Sequence, residues 1–220
     1  MSNIEEIPEV SESRTFHQLG ILLLDGSGSM AAKGENNTAL AEHVNLAVRE
    51  FLGFFKHSSQ VNNFSIAVVT FDETATVHTP VTALKDVDDF ADYNPMTNHG
   101  GGTFIGGALE QADKLAEQFL KEGTGVPHDV RIIVMSDGLC QKADETEEIA
   151  SRMKGNDRLL ICSSLFTPIS KANDPESNEA KTVLRDIASA ANLYKTTYKE
   201  ADLRQFFISS MSAKRKAGND

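Results

Sequence analysis

The sequence predicts an α/β protein with a mostly parallel sheet and helices on both faces of that sheet. Four apolar runs, at residues 21–24, 64–71, 130–136 and 158–163, predict strands, because strands buried on both sides are apolar throughout. Apolar residues recur at helical spacing over residues 40–55 and 105–120. Strands that alternate with helices in this way are typical of a parallel sheet between two helical layers.

The remaining elements complete this alternating order. Residues 75–81 form a short segment after the turn at Asp72 and Glu73, and residues 193–198 form a last short strand. Further helices are predicted at residues 145–154, 177–191 and 201–213. We also expect a short helix over residues 86–92, with its four aspartates on the exposed face.

The length and charge of the chain limit its organisation and its partners. A chain of 220 residues is long enough for one well-packed domain, which we place at residues 16–213 between a disordered acidic tail at 1–15 and a short tail at 214–220. The formal net charge of −11 excludes a general affinity for nucleic acid, whose phosphates are bound by Lys and Arg. It favours cations and basic partners instead.

No apolar run approaches the roughly 20 residues that cross a bilayer, so no membrane association is expected. The first residues lack the basic region and apolar core of a secretory signal, and we therefore expect a cytoplasmic protein. Cys140 and Cys162 are too few for a disulfide scaffold and are not in metal-binding spacing. We interpret both as reduced thiols.

A polar turn follows the first apolar run and carries Asp25, Ser27 and Ser29, with Gly26 and Gly28 between them. Since the run is a buried strand of a parallel sheet, these side chains are expected at its carboxyl end, where open α/β sheets bind ligands. Carboxylate and hydroxyl oxygens suit Mg²⁺, Ca²⁺ or Mn²⁺ better than zinc or copper. The turn therefore predicts a site for a hard cation.

Two later segments supply similar side chains. Thr103 follows three glycines and precedes a helix, while Asp137 follows the strand at residues 130–136. Each has a purely structural alternative, since Thr is a common helix cap and Asp-Gly is a common turn. The triple glycine and the presence of Asp25 and Ser27 favour a role as ligands.

Together these segments resemble the metal-ion-dependent adhesion site of von Willebrand factor A domains, in which Asp-x-Ser-x-Ser is followed by a Thr and an Asp. The resemblance covers about residues 16–213 and implies a three-layer, doubly wound, Rossmann-like fold with residues 75–81 as a short antiparallel edge strand. It implies a metal site formed by five residues, with the hydroxyls able to bind directly and the aspartates often acting through water: Asp25, Ser27, Ser29, Thr103 and Asp137.

The resemblance also implies a function. The protein would be a non-enzymatic interaction module that is monomeric when free. It would bind Mg²⁺, with Mn²⁺ or Ca²⁺ as substitutes, and a partner protein would offer a Glu or Asp carboxylate to the metal. Within the family, the stretch at residues 200–210 is similar to short bacterial proteins associated with tellurite resistance and stress response.

Enzymatic alternatives fit the sequence less well. The turn at residues 26–31 matches a dinucleotide fingerprint, but Asp25 would place a negative charge beside the pyrophosphate, and no acidic residue stands about 20 positions later at a strand end. The glycines of a hydrolase elbow and a P-loop lysine are missing. A metal-dependent phosphoester hydrolase using Asp25, Asp72 and Asp137 stays open, although it lacks an obvious base, since we expect the nearby His99 to be solvent-exposed.

Overall fold

The computed structural model describes residues 14–123 and 125–214, in which five α-helices surround one six-stranded sheet. The strands are β1 (His17–Asp25), β2 (Phe64–Phe71), β3 (Ala75–Ala83), β4 (His128–Ser136), β5 (Leu159–Phe166) and β6 (Tyr194–Thr197). The helices are α1 (Leu40–Lys56), α2 (Ile105–Glu122), α3 (Ala143–Lys154), α4 (Pro175–Ile187) and α5 (Glu200–Met211). The predicted fold class is confirmed.

The strands lie in the order β3-β2-β1-β4-β5-β6, and all neighbouring pairs are parallel except the antiparallel pair of β2 and β3. β1 lies in the interior, with Leu22 opposite Val68 of β2 on one side and Ile133 of β4 on the other. The strand order therefore reverses beside β1. In open α/β sheets such a reversal leaves a crevice at the carboxyl ends of the strands, which is where ligands bind.

Both faces of the sheet are covered by helices. Leu22 faces a core formed with α1 and α5, which includes Phe51 and Phe207. Its neighbour Ile21 points to the opposite face and packs into a core formed with α2, α3 and α4. Because side chains of a strand alternate between faces, an uninterrupted apolar strand is what a sheet between two helical layers requires.

The predicted helix at residues 86–92 is wrong. A 3₁₀ turn covers Leu84–Asp86, and an irregular segment follows, in which Asp88 Oδ1 accepts the N–H of Phe90 at 2.9 Å and Asp92 Oδ1 accepts the N–H of Asn94 at 3.0 Å. Side chains of Asp and Asn compete with helical hydrogen bonds by capping the backbone two residues later. The aspartates thus build successive turns instead of one helix.

The described region ends within the two predicted tails. Residues 1–13 and 215–220, on which most of the tail predictions fall, lie outside the described residues. Cys162 is buried and Cys140 is partly exposed, and both are free thiols as predicted. Among the described helices none is long and apolar enough to cross a membrane.

Candidate metal centre

Asp25 ends β1 and is completely buried. Its Oδ1 accepts the backbone N–H of Ser27 at 2.8 Å, and its Oδ2 accepts the hydroxyl of Ser136 at 2.5 Å. The first bond fixes the turn after β1, and the second ties β1 to the end of β4. Ser136 was missed as a functional residue in the sequence, although its position directly before Asp137 at the end of an apolar strand was a usable signal.

The other side chains of the turn meet Asp137 across the crevice. The hydroxyl of Ser29 donates to Asp137 Oδ1 at 2.6 Å, and the oxygens of Ser27 and Ser29 lie 3.1 Å apart. Ser27 is almost fully buried, whereas Ser29 is exposed. Residues 108 positions apart in the chain therefore share one cluster of oxygen atoms.

Thr103 belongs to the same crevice. Thr103 is 5% exposed and lies one residue before Phe104, which is the N-cap residue of α2. The side chain of Phe104 makes no capping hydrogen bond to the helix. The N–H of Gly106 in the first turn is instead bonded by Thr146 Oγ1 from α3 at 3.1 Å. Thr103 is thus not the cap of α2, which removes the structural alternative considered from the sequence.

Four of the predicted site residues, Ser27, Ser29, Thr103 and Asp137, line one open cleft of about 420 Å³, and Asp25 lies behind it. The segments after β5 and at the start of α4 form another part of its lining, with Pro168, Lys171 and Glu176 among their residues. The structure therefore brings together all five residues predicted from the sequence.

The two carboxylates are in an unfavourable electrostatic environment. Burial, and then the negative charge of Asp25, raise the pKa of Asp137 to about 7, against the opposing influence of the Ser29 hydrogen bond and the positive charge of Lys171. Burial also raises the pKa of Asp25, although hydrogen bonds from Ser136 and Ser27 oppose this. A cation between such groups would stabilise both ionised forms.

The donors fit a hard divalent cation. Three hydroxyls and two carboxylates offer only oxygen, which is the ligand type that Mg²⁺ and Ca²⁺ prefer. Within residues 14–123 and 125–214, no group of three or more His, Cys, Asp or Glu side chains could hold a metal ion. A cation at this centre would therefore depend on the hydroxyls of Ser27, Ser29 and Thr103 as well as on the carboxylates.

Asp72 organises the glycine loop that leads to Thr103. Its Oδ2 accepts the N–H groups of Gly100 at 3.3 Å and Gly101 at 3.2 Å, and its Oδ1 accepts the N–H of Thr74 at 2.9 Å. Burial by itself would raise the pKa of Asp72, but hydrogen bonds from Thr74 and Gly101 and the contact with His99 hold it well below its usual range. Asp72 does not line the cleft.

The glycines of this region allow a close approach of two backbones. The N–H of Gly28 donates to the carbonyl of Gly101 at 3.0 Å, and a Cβ on Gly28 would lie 3.0 Å from the carbonyl oxygen of Gly100. Gly100 has a φ of 140°, which side-chain-bearing residues rarely adopt. The loop before Thr103 is therefore fitted against the turn that carries Ser27 and Ser29.

His99 lies beneath this loop, and the expectation that it is solvent-exposed is wrong. Its side chain is only 2% exposed. Its Nε2 is 3.0 Å from Thr70 Oγ1, and its Nδ1 is 3.2 Å from Asp72 Oδ1, although the direction is poor for a hydrogen bond. The tertiary packing of the loop against the end of β2 encloses a ring that the neighbouring glycines suggested would be open.

The comparisons with known proteins agree with this architecture. The family model of the von Willebrand factor type A domain matches residues 21–139, more than half of the chain. The chain therefore belongs to the von Willebrand factor type A domain family. A search of curated proteins found no match.

Solved structures with this fold come from several settings. The pilus adhesin SpaC from Lactobacillus rhamnosus GG matches 91% of this chain with a TM-score of 0.70 and 11% identity, and the match covers 31% of the adhesin. The von Willebrand factor domain of the type V pili tip protein Mfa5 from Porphyromonas gingivalis matches with a TM-score of 0.65 and 14% identity, over 91% of this chain and 95% of that domain.

A third structure is the proximal thread matrix protein 1 from the mussel byssus, with zinc in its metal-ion-dependent adhesion site motif. It matches 90% of this chain, and 45% of the byssus protein is covered, with a TM-score of 0.59 and 21% identity. The chain spans about a third of the length of the pilus adhesin. At these identities the likeness shows the fold.

Proposed function

We propose that the chain is a protein-interaction module that binds an acidic side chain of a partner protein through a divalent cation. Mg²⁺ is the proposed cation, with Mn²⁺ or Ca²⁺ as substitutes. The residues that would hold it are Asp25, Ser27, Ser29, Thr103 and Asp137.

One observation supports this proposal above the others. Asp25 and Asp137 lie at the carboxyl ends of neighbouring strands, both with a raised pKa, and the hydroxyls of Ser27 and Ser29 lie beside them at the opening of a cleft. When bound, the cation would offset the repulsion between the carboxylates of Asp25 and Asp137 and would keep a positive charge for an anionic ligand. The neutral hydroxyls would leave more of that charge than further carboxylates would.

The relatives support the same type of function. One holds zinc in a metal-ion-dependent adhesion site motif, and others are a pilus adhesin and a pilus tip protein. We further propose that this protein acts in the cytoplasm in a bacterial stress or tellurite-resistance system. That narrower proposal is based on the similarity of residues 200–210, which make up almost all of α5, to short proteins of such systems.

A hydrolase using Asp25, Asp72 and Asp137 has less support. Both carboxylate oxygens of Asp72 accept backbone N–H groups, and the residue lies outside the lining of the cleft. The hydrolase hypothesis therefore loses the third carboxylate that it used.

Calorimetric titration of the metal-free protein with Mg²⁺ and Mn²⁺ tests the proposed function. We expect saturable binding that the double substitution Ser27→Ala and Thr103→Ala abolishes, because two of the three hydroxyl ligands are then missing. The matched control is the double substitution Ser151→Ala and Thr182→Ala on exposed positions of α3 and α4, which should leave binding unchanged. Binding that survives the loss of Ser27 and Thr103 would refute the assignment.

A further inference from the structure

A second pocket lies beside the metal cleft. It has a volume of about 450 Å³, and its lining includes Pro168, Ile169 and Tyr198 together with Lys33 and Lys199. Pro168 also lines the metal cleft, so the two depressions are adjacent. We call this depression the Ile169 pocket.

The topology explains why the Ile169 pocket forms at this edge of the sheet. β5 and β6 are parallel neighbours, and their carboxyl ends lead directly into residues 167–171 and 198–199. The N–H of Thr167 donates to the carbonyl of Thr197 at 3.1 Å, which holds these two exits together. The segment between β1 and α1 supplies Lys33, so all three walls follow strands that end at the metal-site edge.

The pocket presents apolar surface to solvent. Ile169 is 75% exposed, an unusual degree for a large aliphatic residue, and it stands in a short 3₁₀ turn, Ile169–Lys171, next to the cleft. Burying such a side chain against a partner is favourable in proportion to the apolar area removed from water. The pocket therefore suits an aliphatic side chain of a partner.

The charges around the pocket differ from those of the whole chain. Lys199 Nζ is 3.3 Å from Glu35 Oε1, which neutralises the acidic group of the lining. Within the described residues, Lys33 and Lys171 form no ion pair. Lys171, like Asp174 and Glu176, lines the metal cleft but not the Ile169 pocket. Although the chain has a net charge of −11, the lining of this pocket thus offers the ammonium group of Lys33, for which the described residues provide no ion pair.

We infer that the Ile169 pocket is an anchor site for an extended segment of an acidic partner protein. Because Pro168 lines both depressions, a large aliphatic residue of that segment stands within about three positions of the Glu or Asp directed to the metal, an extended chain advancing about 3.3 Å per residue. A further carboxylate of the segment contacts Lys33 in the lining of the pocket. This inference rests on the proposed function and adds to it the kind of sequence that is recognised.

Fluorescence anisotropy with a synthetic peptide tests the inference. The probe is fluorescein-labelled Gly-Asp-Leu-Ser-Glu-Ser-Leu-Asp-Gly, which places a Leu on either side of the central Glu, so that neither chain direction is assumed. Two companion peptides replace both Leu by Ser, or the Glu by Gln. The protein variants are Ile169→Ser and a control, Phe90→Ser, at a residue that is 77% exposed and lines neither depression.

With excess Mg²⁺ we expect the Leu-free peptide to bind about tenfold more weakly than the probe, as the loss of one buried aliphatic side chain predicts. Ile169→Ser should lower the affinity for the probe by a similar factor and leave the affinity for the Leu-free peptide unchanged. Phe90→Ser should change neither affinity. Lys33→Glu should also lower the affinity for the probe, and this loss should be larger at low salt than at high salt.

The other outcomes separate this inference from the proposed function. Binding that needs Mg²⁺ and the central Glu but ignores Leu and Ile169 would overturn the pocket and leave the proposed function intact. Leu-dependent binding that ignores both Mg²⁺ and the Glu, or no binding of any peptide, would overturn both. A Mg²⁺-dependent dimer of the full chain that Ile169→Ser abolishes would overturn the acidic partner in favour of a second copy, whose residues 4–10 are also acidic and apolar.

Discussion

At the scale of single residues, Asp137 is a carboxyl group whose ionised form is destabilised by its surroundings. It shares the end of the sheet with the buried Asp25, and its pKa is raised to about 7 by burial and by that neighbour. In the unfolded chain the same carboxyl titrates near 3.8. The folded protein therefore holds a proton between these values that the unfolded chain has released.

This difference gives a pH-dependent prediction for the metal-free protein. Because the folded state binds the additional proton, the free energy of unfolding should fall as the pH rises from about 4 to about 7. In EDTA above pH 7, Asp137→Asn should raise the free energy of unfolding, because the variant lacks the negative charge that Asp25 repels. The gain should be about 1 to 3 kcal/mol, because water in the open cleft screens part of the repulsion.

Urea denaturation in EDTA and in excess Mg²⁺ measures this effect. We expect Mg²⁺ to stabilise the wild-type protein at pH 8 and to leave Asp137→Asn unaffected, because that variant lacks one of the ligands. Equal stabilisation of both proteins by Mg²⁺ would contradict the role of Asp137.

At the scale of elements, the conformation of the glycine loop before α2 depends on the end of β2 as well as on the loop's own glycines. Asp72, one residue beyond β2, accepts two N–H groups of the loop, and the carbonyl of Asp72 accepts the N–H of Phe104 at 2.9 Å. The loop in turn contacts the Ser27 to Ser29 turn through the Gly28 to Gly101 hydrogen bond. Asp72 therefore positions Thr103 without touching the cleft.

We predict that Asp72→Asn lowers the affinity for Mg²⁺ by about tenfold to a hundredfold, the range seen when groups that orient metal ligands are replaced. Calorimetric titration checks this, with Asp86→Asn at an exposed aspartate as the matched control. A folded Asp72→Asn protein with unchanged affinity would show that the loop holds Thr103 unaided.

At the scale of the whole molecule, the sheet separates two polar ends. The candidate metal centre lies at the carboxyl edge, whereas His17 begins β1 at the opposite edge and stacks edge-on with His128, with ring centroids 5.2 Å apart. Burial lowers the pKa of His17 to about 4, and the charges of Arg14 and His128 add to this effect. Acidification should therefore lower the free energy of unfolding through His17, independently of any metal ion.

The sign follows from proton binding. Between pH 6.5 and 4 the unfolded chain protonates His17 while the folded protein does not, so the free energy of unfolding should fall as the pH falls through this window. The loss should be about 1 to 3 kcal/mol, given that the ring is partly exposed. His17→Gln should flatten the profile when stability is measured in excess Mg²⁺, which removes the contribution of Asp137.

His78→Gln, at an exposed histidine of β3, is the control for this experiment and should leave the slope unchanged. An unaltered slope in His17→Gln would assign the acid sensitivity to other groups.

The sequence by itself determined the strands and the helical faces, and it predicted which side chains would form the candidate site. Runs such as residues 64–71 are apolar without interruption, which only a sheet covered on both faces can use, and β2 has those bounds. Asp25, Ser27 and Ser29 are close in the chain, so their shared turn is a local property. The family pattern added Thr103 and Asp137, which the structure places in the same crevice.

Tertiary structure alone decided which distant groups support these residues. Ser136 bonds Asp25 because β4 lies beside β1 in the sheet, and His99 is enclosed between Thr70 and Asp72 because the glycine loop packs against the end of β2. The Ile169 pocket likewise combines three segments that meet only at the carboxyl edge. Local patterns report hydrogen bonds and burial within one element, whereas these contacts depend on strand order, which no single stretch of sequence encodes.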